Sequence, residues 1–408
     1  MQVPTINRYI IGAALFIGYT LFALSWKAGD LFISNIGYDA NDLSTLIAAL
    51  NIVKVVANFL IGVITANFIA EKTFLNNSNM FVAGCFSVAA SMLLMPYCEN
   101  FYLLSMIRAL LGLGGALILF SMNPLVASIF PEKELPIVNG LNSAAFNIGI
   151  AIMLTGAALM KSAPELVMLV TAIVAVTAGF AFLFANRNAI NQVKMDLDYS
   201  KGGIHNEEST NEKFGIIDAL KDRFNWLFSI TFTGIMAFYY VAFTFLDVDT
   251  VMFLIYAGII GNFAGIAGAK TLKHTTVIRL CASLSLILAV AFLFTLEQSV
   301  SKFIAFALGF TIFFSLPSYV TLGFGQKNAT PKRIGLTFMM LWVVSDLLAT
   351  FILKFYAFLA SNPGSESMAT LFILLVTSVF TIGCFFIKDV KQDAESVLSQ
   401  GADTPVVA

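Results

Sequence analysis

The sequence predicts an all-α membrane protein with twelve transmembrane helices. Three observations predict it. Hydrophobic residues make up 59% of the 408 and charged residues only 12%, whereas soluble domains hold roughly 45–50% and about 25%. The 40 phenylalanines suit a lipid-facing surface better than a soluble core. Apolar runs of ~20 residues, the length that crosses a bilayer, recur along the whole chain.

In order, the spans read as 9–36, 42–68, 79–97, 101–130, 136–160, 164–185, 224–246, 251–269, 277–296, 303–325, 334–360 and 367–387. The first is long enough to cross and has no small-residue cleavage site behind it. It therefore reads as a retained helix and not a signal peptide, although Lys27 and Asp30 interrupt its outer end. The second carries Lys54 in the run ALNIVKVVANFLIG, between Asn51 and Asn58. The fourth holds Arg108 among glycines, and the fifth holds Asn139, Asn142 and Asn147. After the sixth comes the longest polar interval, 186–223, with six Lys/Arg, seven Asp/Glu and the turn-rich run SKGGIHNEESTNEK. It reads as a solvated linker, in which GIIDALKDRF (215–224) has the spacing of a short amphipathic helix on the membrane surface. The seventh span carries Tyr239 and Tyr240. The eighth carries Asn262 beside Gly258, Gly261, Gly265 and Gly268, a face suited to close helix packing. Pro317 is expected to kink the tenth, and Asp346 lies deep in the eleventh.

Lys and Arg set the orientation. With the N-terminus inside, seventeen fall on the inner side and two, Lys161 and Lys302, on the outer; the other four (Lys27, Lys54, Arg108, Lys354) lie within spans. Both termini and the linker are therefore expected in the cytoplasm. The expected domains are a six-helix bundle over 1–185, the linker over 186–223, a second bundle over 224–390 and a disordered tail over 391–408.

Several function classes are excluded by what the chain lacks. The four cysteines (Cys85, Cys98, Cys281, Cys384) are scattered singly, so neither a disulfide framework nor a metal site is expected. There is no phosphate-cradling loop, HExxH, nucleophile elbow or basic nucleic-acid face. An enzyme is not expected, and neither is a cofactor. Only two histidines exist, His205 and His274, both in loops, which speaks against an intramembrane enzyme.

Six plus six spans around a long cytoplasmic linker resemble the major facilitator superfamily. RALLGLGGA, with Arg108, Gly112, Gly114 and Ala116, resembles the superfamily's fourth-helix motif, whose arginine is associated with proton coupling. The end of the second span departs from the family pattern: Gly62 and Lys72 are present, but Ala66 stands where the pattern has aspartate. The counterpart Gly268-Ala-Lys-Thr-Leu-Lys-His is equally reduced. The fifth span, GLNSAAFNIGIAIMLTGAAL, lacks the Gly-Pro pair of drug/proton antiporters, which counts against drug efflux. The resemblance implies two bundles related by a pseudo-twofold axis and a secondary transporter that works as a monomer.

The candidate site follows from charge at depth. Lys54 lies twelve residues into its span, ~18 Å at 1.5 Å per residue and thus near the midplane. Asn51, Lys54, Asn58 and Gly62 share one face at i, i+3, i+7 and i+11. A lysine facing lipid there costs ~2.5–3.5 kcal/mol, so the face points either at an aqueous cavity or at an acid on another helix. Lys27 and Asp30, at i and i+3, either neutralise each other or meet a ligand. Arg108 is a partner for Asp30, a cavity residue, or both. Asp346, also near midplane, is a candidate proton carrier, or a member of a salt bridge with Lys354 two turns on or with another helix. Substrate contacts are expected from Lys54, Asn51, Asn58, Lys27, Asn142, Asn147, Tyr239, Tyr240 and Asn262. Proton coupling is expected from Asp346, Arg108 and Asp30.

The spans hold four positive and two negative charges, and that surplus favours an anionic substrate: a carboxylate metabolite, an acidic siderophore or an organic phosphate. The expected function is proton-coupled secondary transport. A proton-coupled exporter of drugs or amphiphiles, using a phenylalanine-rich cavity, is the alternative. The expected partners are the small-molecule substrate, protons and the lipid bilayer, with no nucleic acid. Composition and layout suggest a bacterial inner membrane.

Overall fold

A computed structural model of the chain describes residues 5–68, 73–98, 100–202, 214–295, 300–326 and 329–388. These residues are helical almost throughout. The helices are α1 (Thr5–Asn35), α2 (Ala40–Phe68), α3 (Thr73–Leu94), α4 (Phe101–Ile129), α5 (Leu135–Thr155), α6 (Ala157–Ser162), α7 (Pro164–Gly202), α8 (Ile216–Lys221), α9 (Arg223–Phe245), α10 (Val248–Thr271), α11 (His274–Phe294), α12 (Ser301–Phe324), α13 (Pro331–Ser361) and α14 (Glu366–Phe386). Twelve of them are long and apolar enough to cross a membrane, and α6 and α8 are the short exceptions. The ends carry local stop and start signals. Asn100 caps α4 through its side chain, Asp222 caps α9, Asp247 caps α10 and Thr330 caps α13.

Two elements differ from the sequence reading. The linker expected from residue 186 is helical as far as Gly202. Nothing between Asn186 and Lys201 breaks a helix, and the first stop signal is the Gly202-Gly203 pair. Residues 203–213 and the tail from 389 onward, with the expectations that fall on them, lie outside the described residues, as does Lys72. The expected surface helix is α8, and it does not simply rest on a membrane face. Its Ala219 is fully buried, in a cluster with Phe120 of α4 and Leu336, Met339 and Met340 of α13. Phe214 and Ile216 pack against that cluster as well.

Neighbour pairs repeat between the two sides of the chain. α1 packs on α5 and α7, as α9 packs on α13 and α14. α4 packs on α2 and α3, as α12 packs on α10 and α11. The two halves meet along α2–α13 and along α5–α10, which are corresponding seams.

Helices within a half approach at backbone distance. A Cβ at Gly112 of α4 would lie 2.1 Å from the Leu50 carbonyl oxygen of α2. The same construction at Gly149 meets the Thr20 oxygen at 2.2 Å, at Gly309 the Leu254 oxygen at 2.0 Å, and at Gly261 the Phe310 oxygen at 2.3 Å. Between halves the nearest atoms are side chains: the Met339 sulfur opposite Gly62, Ile266 opposite Gly140, and Pro124 opposite Gly335.

Candidate functional site

The two halves enclose a central cavity with room for about 80 Å³, a handful of waters. From α1 it receives Tyr19, Phe22 and Trp26, which share a helix face at i, i+3 and i+7. From α5 come Asn139, Asn142, Ser143 and Phe146, and from α4 Asn123. The other half supplies Tyr239, Tyr240 and Phe243 of α9, Phe313 of α12, and Leu341 and Trp342 of α13. The aromatic rings contact one another across the halves: Trp26 and Tyr240 have centroids 5.2 Å apart in an edge-on arrangement.

Lys54 is the charged residue on this wall. Its Nζ lies 3.0 Å from Asp346 Oδ1, and both side chains are buried, at 1% and 0% exposure. Tyr240 donates its hydroxyl to the same oxygen at 2.6 Å and stands 3.4 Å from Asn51 Oδ1. The second oxygen, Asp346 Oδ2, is buried with no hydrogen-bond partner among the described residues. Lys54 also sits over the rings of Trp26 and Phe22, at 5.1 and 5.9 Å. The α2–α13 seam thus holds a buried ion pair that ties one half to the other.

A second buried pair stays within the first half. Arg108 Nη2 donates to Asp30 Oδ1 at 2.6 Å, and its Nη1 donates to the Trp26 carbonyl oxygen at 2.9 Å. A Cβ at Gly29 would lie 2.4 Å from Nη1, so a larger residue there would displace the guanidinium. Lys27 turns away from this pair and donates to the Phe243 carbonyl oxygen of α9 at 3.2 Å. The ion-pair partner of Asp30 is therefore Arg108 and not Lys27 one turn away, because the guanidinium reaches the carboxylate while the ammonium is drawn across to the other half. Lys354 does not reach Asp346 either. It donates to Ser44 Oγ and Thr45 Oγ1 at the start of α2, at 3.1 and 2.9 Å.

Contacts cross between the halves at both ends. At the end away from the termini, the Lys27 and Lys354 contacts cross between halves, and Thr155 and Tyr256 share a hydrogen bond of 2.5 Å. At the end that carries the termini, Met339 closes on Gly62, Ile266 on Gly140, and Pro124 on Gly335, with α8 across the gap. α8 is held to the second half. Asn225 donates to the Ala219 carbonyl oxygen and Trp226 to that of Leu220. Arg333 bonds Asp222 at 3.2 Å and lies 4.6 Å over the Phe214 ring. Two bundles with corresponding seams around a central cavity are an architecture found in secondary transporters. A profile of the Major Facilitator Superfamily matches residues 9–352.

The chain belongs to the Major Facilitator Superfamily. It is therefore a multi-pass secondary transporter of a small molecule and not an enzyme. No curated protein matches the chain.

Within this transporter the expected site residues fall into three places. Lys54, Asn142, Tyr239 and Tyr240 stand on the cavity wall. Asn51 and Asn58 are fully buried on the same α2 face, one on either side of Lys54, without being part of that wall. Asn147 lies in the α5–α10 seam, where a Cβ at Gly258 would come 3.1 Å from its Nδ2, and Asn262 is fully buried on α10. Asn58, Asn139, Asn147 and Asn262 are buried with both amide atoms unpartnered among the described residues, an unusual condition for buried polar groups. Lys27 crosses to the second half at the end away from the termini, and Asp30 and Arg108 pair beside it within the first half. Sequence reasoning missed Tyr19, Trp26, Asn123 and Trp342 on the wall. The spacing Tyr19, Phe22, Trp26 was the available signal.

Proposed function

We propose that this transporter carries a small anionic organic solute together with protons, by alternating access around the central cavity. The observation that carries the reading is the Lys54–Asp346 pair, which crosses between halves with buried Lys54 on the cavity wall. A proton on Asp346 cancels the charge that holds Lys54. The ammonium then needs an anion, and an organic carboxylate or phosphate supplies one. Proton and solute thus occupy the two members of one pair, and each favours the other. Tyr240 reports between them, since its hydroxyl sits on Asp346 and its ring on the cavity. The Arg108–Asp30 pair, which stays within the first half beside Lys27, is the second proposed point of protonation. The solute class is a carboxylate metabolite, an acidic siderophore or an organic phosphate. The charge bias of seventeen to two supports cytoplasmic termini, and with composition a bacterial inner membrane. The unit of function is the monomer.

A second reading is favoured by the aromatic wall of Phe22, Trp26, Phe146, Phe243, Phe313 and Trp342: proton-coupled export of amphiphilic compounds. Uptake into proteoliposomes, screened over labelled organic anions with and without an imposed pH gradient, separates the two. For the anion reading, Asp346→Asn abolishes gradient-driven accumulation and leaves exchange largely intact. Lys54→Ala raises the apparent Kd roughly 10- to 150-fold, the value of one charge-assisted hydrogen bond. Accumulation that survives Asp346→Asn, or an amphiphile carried equally well by Lys54→Ala, sinks it.

A further inference from the structure

A groove of about 400 Å³ runs between α1 and α5 near the end that carries the termini. Gly12, Ala13 and Phe16 form one side, and Val138 and Leu141 the other. Its deep end is Asn142, which also stands on the wall of the central cavity. Asn142 is thus shared by the groove and the cavity. Asn142 is only 5% exposed, and its Nδ2 has no hydrogen-bond partner among the described residues.

Tyr9 on the groove is 56% exposed, and its α1 neighbours Ile10 and Ile17, outside the groove lining, are 44% and 40% exposed on a helix of membrane length. Whatever enters between α1 and α5 from that side comes out of hydrocarbon. At the terminal end of the groove stands the Arg8–Glu134 ion pair, at 3.0 Å, with Arg8 stacked over the rings of Tyr9 and Phe130. Arg8 Nε and Glu134 Oε2 are left without partners among the described residues. A polar pair at the level of the headgroups and an apolar channel leading inward are the two parts of a site for one lipid chain.

We infer that the groove binds one fatty-acyl chain of a phospholipid from the leaflet on the terminal side. The headgroup lies at Arg8 and Glu134, and the chain end reaches Asn142. The chain end then completes the wall of the central cavity at this point, so the bilayer supplies part of the cavity's shape. The inference is independent of what the cavity carries.

The test uses the full chain in phosphatidylcholine vesicles that contain a small fraction of the same lipid with a diazirine at the end of one acyl chain. After irradiation, labelled peptides are mapped. The expected result is labelling of α1 and of residues 137–146 several-fold above the lipid-exposed face of α11. Leu141→Trp, and separately Ala13→Trp, should remove that excess without changing the label on α11. Two variants on opposite sides of the groove guard against one that fails to fold. Even labelling of α1, α5 and α11, or an excess that both variants leave in place, overturns the inference. So does an excess seen with a diazirine-tagged free fatty acid and not with the phospholipid, since the occupant is then a single-chain amphiphile.

Discussion

Lys54 and Asp346 are 292 positions apart in sequence and 3.0 Å apart in space, one on each half of the transporter. Removing one member of a buried pair strands the other and costs ~3–5 kcal/mol, whereas replacing both with apolar residues of similar size is often neutral. Lys54→Met and Asp346→Leu should each lower the thermal midpoint of the purified protein, and the double variant should recover most of it. The double variant should still fail to accumulate substrate. A double variant that accumulates normally removes the pair from the transport cycle.

Tyr240→Phe deletes the hydroxyl that donates to Asp346 and keeps the ring against Trp26. A hydrogen bond to a charged group contributes ~1.5–3 kcal/mol. The substitution should therefore lower the thermal midpoint in the wild-type background and do little in an Asp346→Leu background. Equal effects in both backgrounds would place the hydroxyl's role elsewhere.

Lys354 holds the end away from the termini through Ser44 and Thr45. Lys354→Ala should shift the population toward a state open at that end. In a variant lacking the native cysteines, a cysteine at Ile47, buried one turn below Ser44, should then react with a membrane-impermeant thiol reagent roughly 10-fold faster, the change expected from ~1.4 kcal/mol. An unchanged rate would show that other contacts hold this closure.

Orientation is testable without a substrate. A reporter active only in the cytoplasm should be active when fused after residue 200 and inactive after residue 163. The opposite result reverses every statement here about inside and outside.

The fold was legible because bilayer thickness imposes one length on every span, and apolar runs of that length stand out against polar loops. Lys54, Arg108 and Asp346 were legible for a related reason: a charge at depth is costly, so its presence marks it. What the sequence withheld was pairing. Which acid Lys54 meets depends on the crossing of α2 and α13, a contact between distant segments that no local pattern encodes. Lys27 and Asp30, neighbours on one helix face, looked like natural partners, yet each bonds a different helix. The aromatic wall was hidden differently. With 40 phenylalanines in the chain, a ring facing the cavity and a ring facing lipid read alike. The extension of α7 to Gly202 is not legible because polarity from residue 186 ends the apolar span without ending the helix.

The contrast between glycine contacts inside and across the halves has a consequence for how this protein tolerates change. Inside a half, Gly112 faces the Leu50 oxygen and Gly309 the Leu254 oxygen, atoms that cannot move without moving a helix. Across the halves, Gly62 faces the Met339 side chain and Gly140 that of Ile266, atoms that swing aside by changing rotamer. A larger residue at Gly112 or Gly309 must therefore push two helices of one half apart, while one at Gly62 or Gly140 meets a side chain that can yield. Drift at those backbone contacts spends the stability of a half, and drift at Gly62 or Gly140 is the kind the fold absorbs.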